Sequence, residues 1–385
     1  MTAPAAASTT TLPRLVLPAH ASASLADLMP GIGAHLGVPG CPADLLGLPD
    51  AQRYVVVLVD GLGWNLVRRS AREVPYLAGL LAGGRPITAG VPSTTVTSLT
   101  SLGTGLPPGG HGMVGYTFRV PETGEILNAL TWESDLTAAV VQPRPTFFER
   151  SVEAGVAVSS VGLARFRGSG LTEAALRGAD FVPFEHERAE EKRISLVAAA
   201  AARGERSLVY AYERQLDHVG HAQGCNSEDW LRQLIRVDAM CQRLREVLPA
   251  DVALVITGDH GMVDIPSANQ VVAEDEPEMM AGVSALAGEG RFRQLYVDDD
   301  DPGAVADRWR DRLGDLAWVR TRGEAVEEGW FGPVADDVLE RYGHVLVAMR
   351  GPWAVMTRQY PRELSLVGMH GSLTEAEMLV PLLLD

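Results

Sequence analysis

The 385-residue chain has little cysteine, with Cys41, Cys225 and Cys241 as its three copies. Thiols this few and this scattered exclude a disulfide framework and a thiolate metal cluster. No apolar run approaches the roughly 20 residues of a membrane-spanning helix, so we expect no membrane partner. Residues 1–20 lack a basic segment followed by a continuous apolar stretch, which predicts a flexible tail and not a signal peptide. These absences together favour a cytoplasmic location.

Lysine is almost absent, since Lys192 is the one lysine among 33 basic residues, and the formal net charge is −16. Nucleic-acid polymers bind to clusters of Lys and Arg, so we expect no such partner. Surplus carboxylates are usually solvated surface groups, but bound cations can also offset them. The positions of the acidic residues therefore matter.

Short β-branched runs alternate with helical patterns through the middle of the chain. This alternation predicts an α/β fold, with a mostly parallel central sheet and helices on both faces. One helix is expected to begin after Ser227, a suitable capping residue. The predicted strands are residues 54–59, 156–162, 207–212, 252–257 and 364–369 and the C-terminal run EMLVPLLL.

Residues 265–347 differ in sequence pattern from the rest of the chain and show a strand–helix–strand pattern with acidic turns. This pattern predicts a small inserted α+β lobe that caps the main domain. The predicted organisation is thus a flexible N-terminal tail over 1–20, a catalytic core formed by 21–264 and 348–385, and a cap lobe over 265–347.

Carboxylates and imidazoles follow several of the predicted strands. The carboxyl ends of strands in an open parallel sheet form the edge at which ligands bind, so these side chains are expected at one edge. If the segment after strand 207–212 is helical, Asp217 and His221 share a face, whereas spacing only weakly disfavours His218. The candidates are Asp60, Asp217, His221, Asp259, His260 and His370.

Oxygen and imidazole ligands without thiolates suit Zn²⁺ or Mn²⁺. Six such residues are enough for two ions, if water, a substrate oxygen or a hydroxyl completes each coordination shell. The single residues have ordinary alternatives, since an Asp after a strand is often a turn former or a helix cap. Together they predict a di-metal site, of the kind that stabilises the attacking and leaving oxygens in hydrolysis.

The stretch GVPSTTVTSLTSLGTGLPPGGHG, residues 90–112, is crowded with hydroxyl side chains. Its apolar residues are spaced as in a helix that begins near Thr94 or Thr95, where unpaired backbone N–H groups favour a phosphate or an ionised hydroxyl. Ser93, Thr94 and Thr95 are all candidates for a nucleophile or for a simple helix cap, and their spacing does not choose among them.

Five segments together resemble the alkaline phosphatase superfamily, and within it the nucleotide pyrophosphatase/phosphodiesterase branch. They cover under a quarter of the chain, but their order and spacing are specific to that family. The segments are VVVLVDGLG, VPSTT followed by LGTGLPPGGHGMVGY, DHVGHAQG, VITGDHGM and GMHG.

The resemblance implies roles for individual residues. It implies that Asp217, His221 and His370 hold one Zn²⁺, that Asp60, Asp259 and His260 hold the other, and that Thr95 is both nucleophile and bridging ligand. The phosphodiesterase branch has an asparagine three residues beyond the nucleophile, where this chain has Ser98. Ser98 is therefore a candidate substrate-binding residue with a shorter side chain. His111 is expected to be a structural loop histidine.

The sequence thus predicts a metal-dependent phosphoric ester hydrolase of the phosphodiesterase or nucleotide pyrophosphatase type. Its partner would be a small phosphoester, with a nucleotide as one candidate. The alternatives are a phosphonoacetate-hydrolase-like or phosphomonoesterase activity on the same scaffold, and a metal-binding interaction protein without catalysis. Residues that could touch the substrate are Trp64, Tyr116, Phe118, Arg165, Phe166, Arg167 and Trp330.

Overall fold

The computed structural model describes residues 13–298 and 301–385. Its strands are β1 (Arg53–Val59), β2 (Arg85–Thr88), β3 (Thr117–Arg119), β4 (Ile126–Asn128), β5 (Ala157–Leu163), β6 (Asp180–Phe184), β7 (Ser207–Glu213), β8 (Val252–Gly258), β9 (Val263–Asp264), β10 (Gln270–Val272), β11 (Ala285–Glu289), β12 (Phe292–Tyr296), β13 (Ala317–Thr321), β14 (Val345–Met349), β15 (Ala354–Met356), β16 (Gly368–Met369) and β17 (Leu379–Leu384).

The α-helices alternate with these strands. They are α1 (Leu25–His35), α2 (Trp64–Arg69), α3 (Pro75–Leu80), α4 (Thr95–Thr104), α5 (Pro108–His111), α6 (Ala138–Val141), α7 (Phe147–Glu153), α8 (Gly170–Leu176), α9 (Glu190–Ala201), α10 (Gln215–Gln223), α11 (Glu228–Val247), α12 (Pro277–Met280), α13 (Pro302–Leu313), α14 (Arg322–Glu327), α15 (Asp336–Leu339) and α16 (Glu375–Met378). The predicted cap of α11 is present, because the Ser227 side chain accepts a hydrogen bond from the Trp230 N–H.

Seven of the described strands form the central sheet, in the order β2-β17-β8-β1-β7-β5-β6. Strand β1 pairs in parallel with β7 and β8, and β5 pairs in parallel with β6 and β7. Strand β17 runs antiparallel to its neighbours β2 and β8. The predicted α/β fold with a mostly parallel sheet is confirmed.

Both faces of the central sheet are buried, as the side-chain alternation of β1 makes clear. The odd-numbered residues from Val55 to Val59 pack in one apolar cluster with α9 and α11. The even-numbered residues from Tyr54 to Leu58 pack in a second cluster with α1, α4 and α7. A strand with alternate side chains in two cores must be apolar throughout, which explains the continuous run YVVVLV.

The region over 265–347 contains a four-stranded antiparallel sheet in the order β11-β12-β14-β13, packed against α13. A buried ion pair joins this sheet to the rest of the protein: Arg291, in the β11–β12 turn, binds Glu377 of α16 at 2.7 Å. The exact limits of the proposed cap lobe remain a prediction.

The structure departs from one predicted strand and describes only part of the predicted N-terminal tail. The strand predicted over 364–369 is wrong for most of its length, since Glu363–Ser365 is a 3₁₀ turn and β16 pairs with β9 outside the central sheet. Residues 1–12 of the predicted tail lie outside the described residues, whereas the Val16 N–H donates to the Leu373 carbonyl at 2.8 Å.

Among the described helices, none has the length and hydropathy needed to cross a membrane.

Candidate di-metal active site

Two neighbouring strands deliver three polar residues to one edge of the sheet. Strands β1 and β8 are parallel and in register, with Val59 opposite Gly258, so the residues that follow them lie side by side. Asp60 is 4% exposed, and Asp259 and His260 are fully buried. The His260 Nε2 atom lies 3.4 Å from Asp60 Oδ1 and 3.5 Å from Asp259 Oδ2.

Helix α10 and the loop after β16 supply the other three predicted residues. Asp217 and His221 share one face of α10, with His221 Nε2 3.3 Å from Asp217 Oδ2. His370 Nε2 lies 3.3 Å from His221 Nε2 and 3.8 Å from Asp217 Oδ1. The turn after β1 makes room for this helix at Gly61, which has φ +74° and where an added Cβ would lie 3.1 Å from the Asp217 Cβ.

The three candidate hydroxyls before and at the start of α4 point to different partners. The Ser93 hydroxyl donates to the Ser372 carbonyl at 2.7 Å. Thr94 is the N-cap residue, but its side chain makes no capping hydrogen bond. The Thr95 hydroxyl lies 3.5 Å from Asp60 Oδ1 and 3.3 Å from His260 Nε2. Of the three hydroxyls, that of Thr95 is therefore the one in contact with the predicted ligand residues.

The imidazole rings are oriented as metal ligands require. Each uses Nδ1 on a backbone carbonyl: His221 on Gly368 at 2.8 Å, His260 on Gly261 at 2.9 Å and His370 on Ser93 at 3.0 Å. A carbonyl can only accept, so each Nδ1 bears the proton and each Nε2 presents a lone pair. The Nε2 atoms of His221 and His370 thus turn lone pairs toward one another, an arrangement that a cation between them stabilises.

The carboxylates also have unsatisfied atoms. Asp217 Oδ1 and Asp259 Oδ2 are buried and have no hydrogen-bond partner among the described residues. Asp259 Oδ1, by contrast, accepts from the Gly61 and His260 N–H groups at 3.0 Å. One oxygen of Asp259 is anchored and the other is free, as expected for a ligand held in place by the backbone.

Two groups of these side chains bring their ligand atoms within 4.8 Å of one another: Asp60 with Asp259 and His260, and Asp217 with His260 and His370. Buried nitrogen and oxygen donors without thiolates fit divalent cations such as Zn²⁺ and Mn²⁺. Five of the six nominated residues therefore fit sites for divalent metal ions, with His260 in both groups. His221 is in neither group, although its Nε2 lies 3.3 Å from Asp217 Oδ2 and from His370 Nε2.

Burial and mutual repulsion shift the proton affinities of this cluster. The pKa of Asp60 is raised well above its usual value, first by burial and then by the charges of Asp217 and Asp259. Burial also raises the pKa of Asp259. The pKa of His370 is lowered well below 6.5 by burial and by the neighbouring His260 and His221. These directions reflect ionisable groups that are buried close to one another, with few compensating charges among the described residues.

Three other sequence candidates lie outside the cluster. His218 lines the same cavity but makes no side-chain hydrogen bond to the cluster within the described residues. His111 is a buried loop histidine, as expected, with Nε2 3.0 Å from the Ser101 hydroxyl. The Ser98 hydroxyl donates to the Asp259 carbonyl at 2.7 Å. Ser98 does not line the cavity, so its structural contact is with the loop that carries a ligand residue.

Sequence reasoning missed two side chains at the site. The Tyr212 hydroxyl donates to Asp60 Oδ2. Glu289, at the end of β11, lies 3.6 Å from His370 Nδ1. Tyr212 reads as one more apolar strand residue, and Glu289 belongs to a region with no recognisable motif. No local pattern signals either one.

The cluster opens into a cavity of about 1020 Å³. Of the aromatic residues considered as substrate contacts, Tyr116 and Phe166 line this cavity, whereas Phe118 and Trp330 are fully buried in the core. Trp64 packs against the core as well. Arg165 lines the cavity and is paired with Glu187 at 2.6 Å. Arg167 donates to the Phe181 carbonyl at 2.9 Å.

Comparison with known proteins places this geometry in context. The chain is similar to murine ectonucleotide pyrophosphatase/phosphodiesterase 5, an inactive form of which was solved with AMP, with a TM-score of 0.70 and 16% identity over 86% of this chain and 87% of that one. It is also similar to phosphonoacetate hydrolase from Sinorhizobium meliloti in complex with phosphonoformate, with a TM-score of 0.66 and 19% identity over 88% of this chain and 91% of that one. No curated protein sequence matches the chain.

At these levels of identity the structural matches show a shared fold. The family model described as type I phosphodiesterase/nucleotide pyrophosphatase, however, matches residues 54–373, which is most of the chain. That span contains every candidate ligand residue and Thr95. The chain therefore belongs to the type I phosphodiesterase/nucleotide pyrophosphatase family, within the alkaline phosphatase superfamily.

Proposed function

We propose that the protein is a metal-dependent phosphodiesterase of the nucleotide pyrophosphatase type with Thr95 as its nucleophile. The observation that carries the proposal is the position of the Thr95 hydroxyl at the N-terminus of α4, 3.3 Å from His260 Nε2 and 3.5 Å from Asp60 Oδ1. A hydroxyl there faces both the ligand residues and the positive end of the helix dipole.

Two divalent cations complete this proposal, with Zn²⁺ as the first choice and Mn²⁺ as the second. Asp217, His221 and His370 would hold one ion, and Asp60, Asp259 and His260 the other, with Thr95 in contact with the pair. Such ions, when bound, stabilise negative charge on the attacking and leaving oxygens of a phosphoester.

The residues of the chain then have distinct tasks. Thr95 Oγ1 forms the new bond to phosphorus, one ester oxygen leaves as an alcohol, and water later breaks the bond between phosphorus and Thr95. The first backbone N–H groups of α4 bind a phosphoryl oxygen, since the N-cap Thr94 leaves them without a side-chain partner. Tyr212 holds Asp60 through its hydroxyl, which fixes the carboxylate beside Thr95.

The test is a comparison of four substrates: bis-p-nitrophenyl phosphate, a nucleoside p-nitrophenyl phosphodiester, p-nitrophenyl phosphate and phosphonoacetate. We expect the two diesters to be turned over fastest by metal-loaded protein. Chelation or Thr95→Ala should lower the rate on the order of 10³-fold or more. Thr97→Ala is the matched control, because the Thr97 hydroxyl belongs to the same helix but donates to the Met113 carbonyl.

Each alternative has its own outcome in this comparison. Fastest turnover of phosphonoacetate would favour a phosphonoacetate-hydrolase-like activity, the possibility raised by the second structural likeness. Fastest turnover of the monoester would favour a phosphomonoesterase. Full activity in Thr95→Ala would contradict the nucleophile assignment. No turnover of any substrate by protein that contains both metals would favour a binding protein.

A further inference from the structure

The two predicted groups of metal ligands are held by different parts of the fold. One group directly follows the central strands β1 and β8, which pair in register. The other group lies on α10 and after β16, and β16 pairs with β9 outside the central sheet. We call these groups the Asp60 site (Asp60, Asp259 and His260) and the Asp217 site (Asp217, His221 and His370). The geometry of the Asp217 site therefore depends on how α10 is fastened to β16.

Helix α10 packs on β16 with the two backbones in direct contact. The Val367 N–H donates to the His221 carbonyl at 2.8 Å, and His221 Nδ1 donates to the Gly368 carbonyl at 2.8 Å. A Cβ added to Gly368 would lie 2.5 Å from the Gly220 carbonyl oxygen. A small shift of the helix would therefore move His221 relative to His370.

Asp264 fastens the C-terminal end of α10 to β9. Its Oδ1 accepts a hydrogen bond from the Cys225 N–H at 2.6 Å. Its Oδ2 accepts from the backbone N–H of Asn226 at 3.1 Å and from the Asn226 side-chain amide at 2.6 Å. Gly224 allows this close approach, because it has φ +86° and an added Cβ would lie 2.8 Å from Asp264 Oδ2. Since Asp264 is also the register partner of Gly368, one carboxylate links α10 to the strand pair that leads to His370.

Arg69 joins a third segment to the same link between α10 and α11. It is the last residue of α2, the helix that follows the turn after β1. Its Nη1 donates to Asn226 Oδ1 at 2.8 Å, and its Nη2 donates to the Cys225 carbonyl. The guanidinium also lies 5.6 Å from the centroid of the Trp230 ring on α11. The fork of Arg69 thus holds the residues that Asp264 binds.

We propose that Arg69, Asn226 and Asp264 form a positioning clamp that sets the metal affinity of the Asp217 site. This inference rests on the two-ion site of the proposed function, but not on its reaction. None of the three residues lines the cavity, so they act on an ion only through α10 and β16. The Asp60 site is held by paired central strands, and we therefore expect the clamp to affect it much less.

The test measures Zn²⁺ affinity by chelator competition in proteins that keep one site each. Asp259→Asn removes a ligand of the Asp60 site, and His221→Ala removes a ligand of the Asp217 site. Asp264→Asn is then added to both, because asparagine keeps the size of aspartate but replaces one acceptor oxygen with a donor. The dissociation constant of the Asp217 site should rise about 10–100-fold, and that of the Asp60 site less than about threefold.

A second variant and a matched control separate positioning from general stability. Arg69→Lys keeps the charge but loses the two-pronged donor, and it should weaken the Asp217 site at least about threefold. Asp44→Asn is the control, since Asp44 accepts from the Leu46 and Leu48 N–H groups at 2.7 and 2.5 Å and does not line the cavity. The control should lower the free energy of unfolding while both affinities stay as in the parent proteins.

The possible failures are distinguishable. Equal weakening of the two sites by Asp264→Asn, no weakening of either, or equal weakening by Asp44→Asn would overturn the inference while the proposed function stood. If wild-type protein binds fewer than two ions, the proposed function fails instead, and amide hydrogen exchange of metal-free protein then tests the clamp alone. Asp264→Asn should speed exchange of the α10 amides about tenfold or more relative to those of β1 and β8. An equal change in all three elements would overturn the inference.

Discussion

Two buried clusters of charged residues lie close together in this protein and differ in how their charges are balanced. Arg291 and Glu377 are fully buried, and every polar atom of the pair has a partner: both carboxylate oxygens bind the guanidinium, and the remaining N–H groups reach the carbonyls of Met349, Gly351 and Trp353. The cluster around Thr95 has buried carboxylate oxygens that find no partner in the described part of the chain, and imidazole nitrogens that face one another.

The difference separates structural charge from functional charge. The Arg291–Glu377 pair is complete within the chain, and the Ser372 N–H also donates to Glu377 Oε1, so the pair holds the loop that carries His370. The Thr95 cluster is incomplete without an outside partner. Burial alone therefore does not identify a site, whereas burial with unsatisfied ligand atoms does.

The largest effect is expected from breaking the complete pair. Arg291→Ala should lower the free energy of unfolding by about 3–5 kcal/mol, because it leaves the Glu377 carboxylate buried without its counterion. Urea unfolding of metal-free protein measures this. Arg232→Ala, in an exposed pair with Asp229, is the control and should change stability by less than about 0.5 kcal/mol. Equal effects of the two substitutions would contradict the comparison.

The incomplete cluster should respond to metal instead. Zn²⁺ at about 100 times its dissociation constant should raise the free energy of unfolding of chelated protein by about 2.7 kcal/mol per site, because the ion binds only the folded state. Asp259→Asn should abolish most of this gain. Asp238→Asn is the control, as Asp238 is a buried carboxylate that accepts from the Leu77 N–H away from the site. Loss of the gain in the control alone would refute the assignment.

A third prediction concerns a histidine whose partners are internal. Burial and the nearby Arg341 lower the pKa of His111 from 6.5 to about 3. The unfolded chain therefore binds a proton that the folded protein does not. Stability should fall as the pH drops from about 6.5 toward 3, by up to about 1.4 kcal/mol per pH unit from this group.

The measurement for His111 is the slope of unfolding free energy against pH between 4 and 6, in wild type and in His111→Gln. The variant should have the shallower slope, since glutamine does not titrate. An unchanged slope would mean that His111 is not the group that makes the folded state sensitive to acid. His35, which lies on α1 and contacts Asp44 and Asp50 at 3.3 Å, offers a control as His35→Gln.

The smallest expected effect is at Ser98. Ser98→Ala removes the hydrogen bond to the Asp259 carbonyl and should lower the unfolding free energy by about 1 kcal/mol. If the contact with Asp259 is the main role of Ser98, the loss of kcat/KM for a diester, expressed as a free energy, should be smaller than the loss of unfolding free energy. A large loss of kcat/KM without loss of stability would instead support the sequence-based assignment of Ser98 to substrate binding.

The sequence by itself determined the fold class and nominated polar residues that the structure brings together at the candidate site. Continuous apolar runs precede Asp60 and Asp259-His260, and they predict that these residues lie close together because parallel strands end at a common edge of the sheet. The pair Asp217 and His221 is readable because helical spacing places residues four apart on one face. These are local signals, and the geometry of strands and helices converts them into proximity. The cytoplasmic location and the limits of the cap lobe stay predictions.

Only the tertiary structure decided how the side chains are used. It turned the Ser93 hydroxyl to Ser372 and the Thr95 hydroxyl to Asp60 and His260. The spacing of these residues in the sequence could not select the nucleophile among them. It showed that His370 follows a short strand outside the central sheet. Such contacts join residues far apart in the chain, and no local pattern records where two distant side chains meet.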